Sequence, residues 1–381
     1  MSNNSIIILS EKFETPKTLQ QKSWWETIND ALLANQKVRL KDKVTFYRLL
    51  ATMVNAGLTV LQAIKVLHEE QKNPVMKKVQ ESMIKDIQSG HSLSATLKLF
   101  PKSFSDSEIA MIESGEKTGK LNVALLQLAT QIEKLSSLSK KLIGALIYPA
   151  LIIVVMIGVI FVLMWQVVPK LIGIFADFGG LPPATQTLVN ASEFVQSYWY
   201  LFIISPFVAF SALGAWRRTE HGLYITDRIL LKIPGVGQLL QKIIISRFSR
   251  LLASLMSSGV SIVEALRIIS GALGNEVYRQ RILLLRDDVT RGVTMGTSLE
   301  NDPLFPDMVT QMIKVGEETA KIDSIIIKVA DFYDEEVDGA VSAVNKIIEP
   351  VIIVTMAVVV GFIAYAIMSP IMQLSDVISQ Q

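Results

Sequence analysis

The sequence predicts an all-α membrane protein: two homologous cytoplasmic helical-bundle domains, about six helices each, joined to three transmembrane helices. Three observations carry this reading. First, residues 46–64 (FYRLLATMVNAGLTVLQAI) return without a gap as residues 248–266 (FSRLLASLMSSGVSIVEAL), an offset of 202 residues (248 − 46). That period is far too long for a solenoid and marks two copies of one domain. Second, residues 142–168, 194–216 and 350–375 carry no charged side chain. Each run exceeds the roughly 20 residues that cross a hydrocarbon core. Third, the apolar residues between these runs recur at helical spacing, and no stretch alternates as a strand does. Composition agrees, with 50% hydrophobic residues and a mean hydropathy of +0.40.

Taken in order, residues 1–40 form a polar N-terminal segment. Within it Trp25, Ile28, Leu32 and Leu33 can line one amphipathic helix, to be packed on the first domain, laid on the membrane surface or docked on a partner. Residues 6–9 are too short an apolar run for the core of a signal peptide. Residues 41–141 make the first cytoplasmic domain, with helices over about 41–56, 59–71, 74–89, 92–99, 104–114 and 118–140. Leu49, Leu50, Met53 and Val54 give its first helix an apolar face. Gly57 ends that helix, because glycine takes the left-handed conformation at no steric cost. Thr59 with Gln62 fits a capping box for the next helix, and Gly259 and Ser261 with Glu264 repeat the arrangement.

Residues 142–168 are the first transmembrane helix and 169–193 an extracytoplasmic loop. Residues 194–216 are the second transmembrane helix, kinked by Pro206 and flanked by Tyr198, Trp199, Tyr200 and Trp216, as interfacial aromatics are. Residues 217–348 hold the second cytoplasmic domain, 349–374 the third transmembrane helix and 375–381 an extracytoplasmic tail. A second repeated block, MIESGEKTGKL at 111–121, returns as MIKVGEETAKI at 312–322, an offset of 201 (312 − 111). The same offset carries Pro149 onto Pro350, both expected at structural turns or caps, so the repeat includes its membrane helix. Two crossings separate the domains, which puts both on one side. Lys140, Lys141, Arg217, Arg218 and Lys346 flank the spans on that side, against Lys170 alone in the opposite loop. The positive-inside rule then makes both domains and the N-terminus cytoplasmic and the C-terminus extracytoplasmic.

The chemistry-bearing residues are sparse. There is no cysteine, and His68, His91 and His221 lack metal-ligand spacing. No P-loop, nucleophile elbow or zinc-protease motif is present, so no catalytic residue, metal or cofactor is assigned. A net charge of +2 gives no field that points to nucleic acid. The candidate sites are the two turns Gly115, Glu116, Thr118, Gly119 and Gly316, Glu317, Thr319. Either Glu116 and Glu317 present charge to a partner, or these are ordinary turns in which Gly115 and Gly316 end one helix and Thr118 and Thr319 cap the next. Asp331, Asp334 and Glu335 form a candidate acidic cluster for a cation or a basic partner; a solvated helix face is the other reading. Arg279, Arg281, Arg286 and Arg291 offer it a basic counterpart across a domain interface.

The duplicated domains, the three spans, the stretch at 46–64, the paired Gly-Glu-x-Thr-Gly/Ala turns and the Tyr148-Pro149 and Glu349-Pro350 pairs together resemble one family. It is that of the inner-membrane platform proteins of type IV pilus and type II secretion systems, general secretion pathway protein F or PilC. The resemblance covers residues 40–375. Ala320 stands where the second glycine of the turn is expected, and residues 1–39 are unlike the longer N-terminal region of many members. The resemblance implies a homo-oligomer, dimeric or higher, in the bacterial inner membrane. Its implied partners are a hexameric assembly or retraction ATPase, pilin or pseudopilin subunits and other inner-membrane assembly proteins. It also implies no enzymatic activity and no cofactor. A membrane transporter or channel component is the alternative; it predicts polar or broken spans near midplane, and these are apolar apart from Gln166 and Pro206.

Overall fold

A computed structural model of the protein describes residues 37–170 and 183–378. Most of the expected N-terminal segment, the middle of the 169–193 loop and the end of the tail lie outside the described residues. Among the described residues the chain is helical, without a strand. The first repeat comprises α1 (Leu40–Asn55), α2 (Val60–Glu70), α3 (Pro74–Gln88), α4 (Leu93–Leu97), α5 (Asp106–Lys117) and α6 (Leu121–Val162). Two connecting helices follow, α7 (Pro183–Trp216) and α8 (Glu220–Lys232). The second repeat runs through α9 (Val236–Ser257), α10 (Ile262–Ala272), α11 (Glu276–Thr290), α12 (Met295–Ser298), α13 (Asp307–Glu318) and α14 (Ile322–Ile378).

Local chemistry sets the helix ends. Gly57 takes φ +93°, and the amides of Gly57 and Leu58 donate back to the carbonyls of Val54 and Met53, closing α1. Thr59 accepts from the Gln62 amide, and Gln62 Oε1 accepts from the Thr59 amide, a complete capping box on α2. Its counterpart is only half made. Ser261 accepts from the Glu264 amide, but the Glu264 carboxylate turns to Arg267. The buried stripe of α1 is Phe46, Tyr47, Leu50 and Ala51; Leu49, expected on that stripe, sits on its exposed flank.

Each repeat closes on three aromatic rings. Phe46, Tyr47 and Phe104 meet at tilted and edge-on angles in the first, with centroid separations of 5.3 and 6.3 Å. Phe248, Phe305 and Tyr278 meet edge-on in the second, at 5.3 and 5.8 Å. Two rings occupy duplicated positions. The third comes from α1 in one copy and from α11 in the other. The core is continuous from one repeat into the next.

The expected break between each domain and its span does not exist. α6 begins in the core, burying Leu125, Leu128, Ala129 and Ile132, and runs unbroken through Lys140 and Lys141 to Val162, 42 residues. α14 runs 57 residues from the core through Pro350. At 1.5 Å per residue these are rods of about 63 and 86 Å. Pro350, at the expected start of the third span, does not break its helix, and Pro149 and Pro350, expected at turns or caps, both lie inside these helices. Proline is tolerated inside membrane helices in general, where neighbouring groups satisfy the carbonyl it frees.

By length and composition, α6 with its continuation to Lys170 and α14 up to Ala366 are each able to cross a membrane. The pieces Thr185–Phe202 and Phe207–Trp216 of α7 meet at 46° across the segment that holds Pro206. Tyr198 also leaves helical geometry (φ −119°, ψ 21°). α7 begins at Pro183, ahead of the span expected from 194. The outer ends of these helices pack through Met164, Val168, Leu188, Ile363 and Ala366. Ser192 donates to the Met164 carbonyl within the π-helical turn Leu163–Val167, and Thr185 donates to the Ala366 carbonyl, both at 2.6 Å. Small hydroxyl residues commonly tie apolar helices together in this way.

Candidate functional site: the glutamate turns and the repeat junction

The two Gly-Glu-x-Thr turns have the same geometry. α5 continues past Gly115 to Lys117, and α13 past Gly316 to Glu318. Neither glycine therefore ends its helix. A Cβ on Gly115 would lie 2.6 Å from the Ala124 Cβ, and one on Gly316 3.0 Å from the Ile322 Cα. These glycines exist because α5 presses on α6, and α13 on α14. Thr118 and Thr319 do not cap the following helix either. Their hydroxyls donate back to the carbonyls of Ser114 and Val315, closing the preceding one. The reversal falls on Gly119 (φ +68°) and on Ala320 (φ +53°). Ala320 thus holds a left-handed backbone without the freedom of glycine.

Glu116 and Glu317 point inward. Glu116 accepts from the amides of Leu93 (2.7 Å) and Ser94 (3.3 Å) and from the Ser94 hydroxyl. Glu317 accepts from the amides of Met295 (2.6 Å) and Gly296 (2.9 Å). Each carboxylate thereby satisfies the first free donors of the short fourth helix of its own repeat. The side chains that remain exposed at the turns are Lys117, Thr118 and Lys120 in one copy and Glu318, Thr319 and Ala320 in the other.

The acidic cluster on α14 faces the first repeat. Asp331 lies 3.6 Å and Asp334 3.8 Å from Lys134 Nζ, and Asp338 pairs with Lys141 at 2.5 Å. Arg250 on α9 binds Asp331 at 3.0 Å and also binds Asp334. Glu335 lines the same cleft, of about 370 Å³. The basic counterpart is therefore Lys134, Lys141 and Arg250. The four expected arginines are satisfied at home: Arg279 by Glu276, Arg281 by Asp302, Arg286 by Asp287 and Arg291 by Asp288. Among the described residues no group of three or more His, Asp or Glu is placed to hold a metal ion.

One polar group escaped sequence reasoning. Glu108, buried on α5, accepts from Lys43 Nζ at 2.6 Å, from Tyr47 Oη at 2.8 Å and from Ser105 Oγ at 3.1 Å. Burial lowers the Lys43 ammonium despite Glu108, and burial, reinforced by Glu108, raises the Tyr47 phenol. The second repeat has Ile245, Ser249 and Val309 at these positions. Setting the copies side by side would have exposed the contrast. The repeats also touch directly: Ser114 donates to the Ser258 carbonyl, and Ser258 Oγ donates to Gln127 Oε1 at 3.0 Å.

Two copies of one helical domain, each rooted on a helix that runs on into a long apolar stretch, define a membrane-anchored helical scaffold. Comparison with known proteins gives the class its family. The sequence model of type II secretion system (T2SS) protein F matches this chain twice, over residues 46–169 and 248–370, and the chain belongs to that family. It is 35% identical to the type IV pilus assembly protein PilC of Pseudomonas aeruginosa over 91% of this chain and 93% of that protein. Against PilC of Thermus thermophilus the identity is 35%, over 90% and 84%. Against type II secretion system protein F of Aeromonas hydrophila it is 31%, over 87% and 86%. These are structural platform proteins of the inner membrane rather than enzymes.

Proposed function

We propose that this chain is the inner-membrane platform of a type IV pilus or type II secretion machine, passing the motion of a cytoplasmic assembly ATPase to pilin or pseudopilin subunits leaving the bilayer. The observation that carries this reading is the continuity of α6 and α14. Each is one rod with its first turns locked in a domain core and its far end apolar. Displacement of a domain therefore displaces its membrane segment without a flexible joint. The proposed topology has three spans, α6, α7 and α14. Contact between the two repeats requires an even number of crossings between them, which α6 and α7 supply.

The exposed turns at Thr118–Gly119 and Thr319–Ala320 are the proposed contact with the ATPase, with Glu116 and Glu317 holding their shape from within. The platform acts as a homo-oligomer, dimeric or higher. Extraction of the tagged protein from its own host in mild detergent, followed by mass spectrometry of the copurifying proteins, tests the reading. Recovery of a hexameric ATPase and a prepilin-like subunit is expected. Recovery of neither, after cross-linking and at good yield, overturns it.

A further inference from the structure

We propose that the cavity between the two repeats binds a small organic oxyanion, a phosphate- or carboxylate-bearing metabolite with an apolar portion and a hydrogen-bond donor of its own. The cavity is about 430 Å³, within the range of small-molecule sites. Repeat one contributes Lys43, Phe104, Glu108 and Gln131 to its wall, and repeat two contributes Arg247 and Leu251.

Two of these groups are left in need of a partner. Arg247 has no carboxylate partner among the described residues. Its Nε is buried without a hydrogen bond, and its Nη1 reaches the carbonyls of Ala272 and Leu273 only at 3.4 Å. Gln131 is 4% exposed, and its Oε1 has no donor among the described residues. A half-buried cation without a counter-charge and a buried carbonyl without a donor both cost stability. The chemistry that satisfies both at once is an oxyanion for the guanidinium fork joined to an N–H or O–H for the amide. Phe104, Ile132 and Leu251 supply the apolar remainder of the wall.

The repeat makes an internal control. The second-copy counterpart of Gln131 is Phe332, and those of Lys43 and Glu108 are Ile245 and Val309; the first-copy counterpart of Arg247 is Thr45. The fold is thus built equally well without these polar groups. Each occurs in one copy only, Lys43, Glu108 and Gln131 in the first and Arg247 in the second, and each lines the cavity from its own side. A ligand held by Gln131 on α6 and Arg247 on α9 would bridge the repeats and alter how one moves against the other.

The test uses the full-length protein in detergent, with adenosine monophosphate, inorganic phosphate and citrate as probes. The variants are Arg247→Met and Gln131→Leu. Adenosine monophosphate or citrate is expected to raise the melting temperature by about 5 °C at a hundredfold excess over Kd. Arg247→Met should remove that shift while melting no lower than wild type without ligand, because it deletes a half-buried charge that no carboxylate compensates. Gln131→Leu should weaken binding at least tenfold. A shift with the nucleotide alone assigns a phosphate, and one with citrate alone assigns a carboxylate. No shift with any probe, together with native mass spectra of the gently extracted protein free of bound metabolite, overturns the proposal. An equal shift in Arg247→Met also overturns it.

Discussion

Replacing Glu116 or Glu317 separates a carboxylate that holds its own domain from one displayed to a partner. Glu116 binds two amides and a hydroxyl at the start of α4, and Glu317 binds two amides at the start of α12. A hydrogen bond to a charged group contributes about 1.5–3 kcal/mol. Both residues are half-buried, so the low end applies. Glu→Ala then costs roughly 2–4 kcal/mol at each site, counting two bonds. Glu→Gln keeps one acceptor oxygen and costs about 1–2 kcal/mol. The two sites lie in different repeats and share no partner, so the double variant should be close to additive. The assay is thermal unfolding of the full-length protein, with hydrogen exchange read at Leu93, Ser94, Met295 and Gly296. Melting several degrees lower, with faster exchange at those four amides, is expected. Unchanged melting and exchange accompanied by loss of a partner would refute the inward geometry and return both glutamates to the surface.

Three further outcomes follow from the backbone and the charges. Ala320→Gly should stabilise the second repeat, and Gly119→Ala destabilise the first, by about 1 kcal/mol each, since only glycine takes positive φ freely; denaturant midpoints of the two variants should move in opposite directions. Gly57→Val should cost about 1–3 kcal/mol from φ +93° alone, because a Cβ there meets nothing within 4 Å, and an unchanged melting curve would contradict it. Hydrogen bonds from Lys117 and Lys98 hold the Glu113 carboxyl down to about 2. Its contribution to stability is therefore present above the usual carboxylate range and is lost as pH falls toward 2. Glu113→Gln should flatten that part of the acid-unfolding profile, while a profile identical to wild type would rule the contribution out.

The duplicated plan was legible because it rests on patterns that survive divergence: helical spacing, turn glycines and uncharged runs. What escaped was anything decided by approach between elements. Gly115 reads in one dimension as a helix stop, yet it is fixed by Ala124 on the next helix. Thr118 fits the rule for capping forward, but the reversal at Gly119 comes after it, and its hydroxyl reaches back instead. Glu116 looks free because its ligands lie more than twenty residues upstream. The four arginines on and just after α11 looked unpaired for a related reason. Arg279, Arg286 and Arg291 find acids on α11, while Arg281 reaches Asp302 beyond α12. The junction of domain and span was read as a break in the helix because composition changes there, yet a change of composition requires no change in backbone.

That continuity also limits how the repeats are held together. The ion pairs that join α6 to α14 are Lys134 with Asp331 and Asp334 and Lys141 with Asp338, and most of these side chains are half exposed. Pairs of this kind contribute up to about 1 kcal/mol each and weaken as salt rises. Within each repeat, by contrast, α6 and α14 are anchored by fully buried side chains such as Leu125, Leu128, Val329 and Val337, each worth about 1.5–3 kcal/mol. The stiff connections therefore run along each rod and, through the continuous core, between the two domains; beyond that core the rods are linked to each other by compliant pairs. The ion pairs then set the register to which the two rods return. Neutralising Lys134 and Lys141 together should loosen that register, read as faster exchange where α6 faces α14, while leaving both repeats folded; unchanged exchange would mean that the apolar contacts alone hold the rods in place.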